Sequence, residues 1–96
     1  MNDYILLMHD DAPPAAPEKW ARYLELLRGS GRFSGGSAIG NGVCVRKDAT
    51  PRAVTAHLAG YIRVSALDLD DARTLLAGNP VYEAGGTVEI RELPRQ

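Results

Sequence analysis

The stretch NDYILLMH, residues 2–9, is apolar on both sides of an extended chain, with Tyr4, Leu6 and Met8 pointing one way and Ile5 and Leu7 the other. A strand of this kind needs cover on both faces. It therefore belongs near the middle of a sheet, with helices over one face and something else, such as a second subunit, over the other.

The segments that follow supply the helices and the remaining strands. DDAPPAAP (10–17) is a proline-rich connector whose last residue, Pro17, suits the first turn of a helix, where a missing N–H costs nothing. A first helix is expected to about Arg28: Trp20, Ala21, Leu24 and Leu27 recur at helical spacing, Glu18 and Arg22 form a favourable pair on the wet face, and Gly29 or Gly31 ends it. RFSGGSAIGNGVCVRK (32–47) reads as two strands around Asn41-Gly42, the preferred pair for a tight hairpin. Gly35 and Gly36 are read as a plain bend in preference to a bulge or a close approach by a ligand or another backbone.

DATPRAVTAHLAG (48–60) has no clean period and is taken as a loop with at most a turn of helix. YIRVSAL (61–67) is a strand with Ile62, Val64 and Ala66 on one face and Tyr61, Arg63 and Ser65 on the other. Asp68 is placed as the N-cap of a second helix running to Ala77, with Asp71 in its positively polarised first turn and Leu67 and Ala72 spaced as a small hydrophobic staple. Gly78 provides the terminating conformation and Pro80 bars continuation, so the backbone does not require Asn79. GTVEIREL (86–93) alternates as a half-buried last strand.

The expected order is β-α-β-β-β-α-β: an α+β, ferredoxin-like antiparallel sheet with two helices on one face, a small hairpin extension, and the strands at 2–9 and 61–67 in the centre. Ile62, Val64, Val88 and Ile90 then pack beneath the helices, while Tyr61, Arg63, Glu89 and Arg91 project from the other face with one apolar set from the first strand. Ninety-six residues form one domain and bury only roughly 60–65% of the surface of the unfolded chain. A core so thin favours completion by a second copy, packed sheet against sheet as a homodimeric α/β barrel with a partly polar interior able to hold a small molecule.

Charge and cysteine content narrow the function classes. The 11 basic and 12 acidic residues are scattered and leave a net charge of −1, without the basic stripe that nucleic-acid binding requires. With no signal peptide, no apolar run near 18 residues and a lone cysteine, Cys44, the sequence reads as a cytoplasmic protein without an intrachain disulfide and without membrane partners. Cys44 is read as a buried, inert thiol rather than a nucleophile.

Several side chains carry chemistry that the core does not demand. His9, followed by Asp10 and Asp11, is a candidate proton-transfer group if those carboxylates approach its ring, and otherwise a solvated strand end; Asp10 is equally a turn residue. His57 can reach the mouth of a barrel, but His9 and His57 lack a third ligand at recognisable spacing, so neither a metal nor a cofactor is expected. Trp20 belongs to the core or to the wall of a cleft between the first helix and the turn after the second, where Tyr82 can add a hydroxyl. Arg63, in a strand expected at the centre of the sheet, should meet a carboxylate such as Glu89 or line a wet cavity that receives an anion. The Asp68–Asp71 run is a helix cap, not a metal site.

The chain resembles the YCII-related family, near its branch with an Asp-Gly-Pro-Phe motif. The resemblance is carried by YILLMHDD, EKWARYLELLRGSGRFSGGSAI, GYIRVSALDLDDARTLLAGNP and GGTVEIREL, covering most of 1–46 and 59–93. It implies a dimeric α+β barrel. In members resembling the family's enzymes, a helix-one His and an Asp just before the proline after helix two can serve as base and orienter. Here those positions fall on Trp20 and Asn79, and the Asp-Gly-Pro-Phe motif is missing, ATPRAVTAHLAG occupying its region. Indole is no base and a carboxamide holds no charge, so that chemistry does not transfer. A small-molecule-binding module using Trp20, Tyr61, Arg63, Asn79 and Tyr82 is the favoured reading. An enzyme acting on a small cyclic or carboxylated substrate through other groups, and a regulatory interaction protein, stand beside it.

Overall fold

The computed structural model describes residues 1–95. The elements are β1 (Asn2–His9), α1 (Pro17–Gly29), β2 (Phe33–Ala38), β3 (Leu58–Ala66), α2 (Leu69–Thr74), α3 (Pro80–Glu83) and β4 (Val88–Leu93). The four strands form one sheet in the order β2-β3-β1-β4, and every neighbouring pair is antiparallel. Each half of the chain thus places a foreign strand between its own two, the ferredoxin-like arrangement. As the two-sided apolarity of NDYILLMH requires, β1 is central, and β3 lies beside it.

Strand alternation puts Tyr4, Leu6 and Met8 on the helix side, where all three are buried with Ile62, Val64 and Ala66 from β3. Tyr23 and Leu27 from α1, Ala72 from α2 and Leu76 complete the core, and Val88 and Ile90 pack against it at the β4 edge. The apolar stripe of α1 is rotated from the expected one: Tyr23 is buried and Ala21 is exposed. The reason is the tyrosine's amphipathic shape, since its hydroxyl donates to the Leu75 carbonyl at 2.7 Å and ties α1 to the turn after α2 while the ring fills the core.

Three expectations are corrected. The hairpin around Asn41-Gly42 does not form, so the order is β-α-β-β-α-α-β, with four strands rather than five, and residues 39–57 contain no helix or strand. The partner of β2 is β3, which begins earlier than expected so that Gly60 pairs with Ala38. Val43 and Val45, each 82% exposed, have no layer to pack against, and Cys44 between them is only half-buried. The glycine pair marks a bulge rather than a plain bend: the register shifts between Phe33 and Gly35, Gly35 has φ +118°, and a Cβ on Gly36 would lie 2.5 Å from the Tyr61 carbonyl oxygen.

The third correction concerns the end of the second helix. Asp68 does cap α2, accepting the Asp71 N–H at 2.8 Å. Asp71 in turn accepts the Leu67 N–H at 2.9 Å and pairs with Arg32 at 2.8 Å, and these contacts hold its carboxyl below the ordinary 3.8. However, α2 stops at Thr74, a turn follows to Gly78 (φ +87°), and Pro80 opens the short helix α3 instead of merely ending its predecessor. Pro is well suited to that first position. Asn79 is the N-cap of α3, so the backbone does use it: its side-chain oxygen accepts the N–H groups of Val81 and Tyr82 at 3.0 and 3.1 Å. No helix among the described residues is long and apolar enough to cross a membrane.

Candidate small-molecule site

On the helix side of the sheet, a cleft of about 530 Å³ is lined by α1, the start of α3 and strands β2 and β3. Trp20, Leu24 and Arg28, four residues apart on α1, form one wall as a single stripe, and Phe33 at the start of β2 continues it. Met8 and Ile62 contribute to the floor, with Gly36 and Gly60 where the strands offer only main chain. Pro13 and Pro14 stand on one side and Pro80 and Val81, the first turn of α3, on another. The lining is mainly apolar and aromatic. Its charged members are Asp10 and Arg28, whose guanidinium lies over the Phe33 ring at 5.3 Å and has no carboxylate within ion-pair distance among the described residues.

The 10–16 wall is fixed by contacts from the far end of the chain. Both carboxylate oxygens of Asp11 are engaged by Thr87, from its N–H at 2.8 Å and its hydroxyl at 2.6 Å. The Thr87 hydroxyl and N–H hold this carboxyl below its ordinary 3.8. Beside this clamp Gly86 has no room for a side chain: a Cβ there would lie 2.7 Å from both Ala12 and Val81. The wall and α3 therefore meet over bare backbone.

Asn79 lies behind the cleft and is wholly buried. Its amide nitrogen makes no hydrogen bond, yet it is near enough to the Tyr23 hydroxyl to oppose the upward push that burial exerts on that group from its ordinary 10.0.

The opposite face of the sheet carries Ile5 and Leu7, both half-buried, in register between Tyr61 and Arg63 of β3 and Glu89 and Arg91 of β4. Here the ring of His9 lies 3.0 Å from one oxygen of Glu89, and Arg91 donates to the other at 3.1 Å. The His9 contact, followed by that of Arg91, holds the Glu89 carboxyl below its ordinary 4.5. Glu89 is thus occupied on its own strand and by β1, and Arg63 is exposed with no carboxylate in ion-pair contact among the described residues.

The candidate residues therefore divide among several places. Trp20 and Asp10 border the cleft, and Tyr61 reaches it from a position whose alternation sends the side chain to the open face. Asn79 is enclosed beneath α3 and touches the cleft only through the residues it caps. His9 and Arg63 lie on the open face, and Tyr82 is 50% exposed and outside the cleft. Sequence reasoning missed Arg28 and Phe33, and the Trp20-Leu24-Arg28 spacing was the available signal. No local signal exists for the Asp11–Thr87 clamp, which spans 76 positions.

No protein-family model and no curated protein matches the chain. Among solved structures, 5-chloro-2-hydroxyhydroquinone dehydrochlorinase from Burkholderia phenoliruptrix, in complex with 2,5-dihydroxybenzoquinone, is similar with a TM-score of 0.57 and 12% sequence identity, over 98% of this chain and 95% of that one. At that identity the likeness is one of fold: a small α+β domain with a four-stranded antiparallel sheet and helices packed on it.

Proposed function

We propose that this chain is a small-molecule-binding module of the YCII-related type that works as a homodimer, with the family's His/Asp pair replaced by Trp20 and Asn79. The observation that carries the binding reading is the cleft: about 530 Å³, walled by Trp20 and Phe33 and supplied with Arg28, a cation with no ion-pair partner among the described residues. Apolar walls with few polar groups are the usual composition of small-ligand sites of this size. The chemistry fits a small, mainly apolar molecule bearing one acceptor or anionic group toward Arg28. The dehydrochlorinase of similar fold, solved with a small molecule bound, supports the same class of function. Trp20 is the only tryptophan, so its emission reports on the cleft directly. In a small-molecule screen read by thermal shift and Trp20 fluorescence, compounds that stabilise the wild type are expected to lose at least about tenfold in affinity on Leu24→Arg, which drives a long charged chain into the cleft. Ligands that bind the folded variant unchanged would place the site elsewhere.

The homodimer reading rests on the uncovered sheet face. All three helices lie over the Tyr4-Leu6-Met8 side, leaving Ile5, Leu7 and Leu93 half-covered among charges. A two-fold copy packed face to face would bury that apolar centre and offer carboxylates to Arg63. Sedimentation at micromolar concentration is expected to give twice the chain mass for the wild type and the chain mass for Leu7→Arg. A monomeric wild type would remove this part of the proposal.

A further inference from the structure

The cleft wall at 10–16 leaves the sheet at His9, where the β1/β3 register shifts. It is held at two neighbouring points. One is the Asp11–Thr87 clamp. The other is the Asp10 N–H, which donates to the His57 carbonyl at 2.7 Å. His57 ends the irregular segment 39–57, and its ring meets that of His9 edge-on with centroids 4.9 Å apart. The charged groups around the two rings are Glu89 and, behind it, Arg91 from β4, and Asp10 and Asp11 from the wall; β3 contributes uncharged Leu58 and Tyr61. Glu89 contacts His9, while His57 has no carboxylate within ion-pair distance among the described residues.

We propose that the His9–His57 contact is a proton-operated latch on the cleft wall. A proton on His9 is accommodated by Glu89, so one charged ring leaves the contact intact. A second proton on His57 sets two like charges against each other: Glu89 contacts His9 alone and is also engaged by Arg91, both oxygens of Asp11 are taken by Thr87, and His57 has no carboxylate in ion-pair contact among the described residues. The rings then separate, the Asp10–His57 bond is lost, and the wall loosens at Asp10. Acidification that places a proton on both rings therefore releases the latch. Asp11 does not follow: a carboxyl held below its ordinary value keeps its contribution during that acidification and loses it only below 3.8. The value of such a latch rests on the cleft being the binding site, but its movement can be read without any ligand.

The test is a titration of the ¹⁵N-labelled chain from about pH 8 to about pH 5. After correction for intrinsic exchange, the protection of the Asp10 amide is expected to fall about tenfold or more. The Trp20 indole resonance should move with the same midpoint, while the Thr87 amide, held by Asp11, stays protected. In His57→Asn, which retains the backbone carbonyl and cannot acquire the charge, Asp10 should remain protected throughout. An Asp10 amide equally protected at both ends of the titration, or the same loss in His57→Asn, would overturn the latch. Failure to find any cleft ligand at pH 8 would instead count against the binding reading and leave this result standing.

Discussion

Leu6→Ala is expected to remove about 3–5 kcal/mol of stability, the usual range for truncating a fully enclosed leucine. Leu6 is 0% exposed, in the middle of the central strand, in register with Ile62 on one side and Ile90 on the other. The cost has two parts: the transfer of the missing methyl and methylene groups, and the void left between a sheet and a helical layer that cannot close on it. For a chain of this length the whole stability is about 5–14 kcal/mol, so one side chain accounts for a large share. The melting temperature should fall by about 12 °C or more. Urea unfolding should show a lower midpoint with an unchanged slope, because the surface exposed on unfolding is the same. A loss below about 1 kcal/mol would mean that β1 is not sealed on its helix side.

Asn79→Ala should cost about 2 kcal/mol, or about 8–16 °C in melting temperature, although the residue touches no part of the cleft surface. Its side-chain oxygen is the acceptor for two N–H groups at the start of α3, in a place water does not reach. Alanine leaves both without a partner, and an unmade buried hydrogen bond costs more than a made one contributes. Asn79→Ser retains an acceptor at the cap and should lose less than the alanine variant. Equal stability of wild type and Asn79→Ala would show that the cap is dispensable. Because Pro80 and Val81 form one side of the cleft, ligand affinity should weaken along with stability.

The parts of this molecule that were legible in the sequence are those governed by local rules. Alternation in NDYILLMH and YIRVSAL identified the two central strands and their buried faces, and Asp68 announced the start of α2. Asn41-Gly42 misled because a turn dipeptide makes a hairpin only if both flanking segments find an apolar layer, and Val43 and Val45 find none. Pro80 was read as a stop because the same fixed φ that prevents continuation of one helix favours the start of another. At the candidate site, Trp20 was legible from the first helix, whereas Arg63 was assigned Glu89 as a same-face candidate. In the structure Glu89 is taken by His9 from β1 and by Arg91, a choice that depends on register across three strands.

The interleaved strand order has a consequence for how the chain reaches this structure. In the first half, β1 and β2 are separated by β3; in the second, β3 and β4 are separated by β1. Neither half possesses a single internal strand-to-strand ladder, so neither can assemble a sheet ahead of the other. The β1–β4 ladder joins residues as remote as Asp3 and Leu93, almost the full length of the chain. Such distant pairing raises the loop-closure cost and slows folding relative to a protein built from local hairpins. A chain cut within 39–57 would yield two fragments, each unstructured alone, that recover the sheet only by threading their strands between one another.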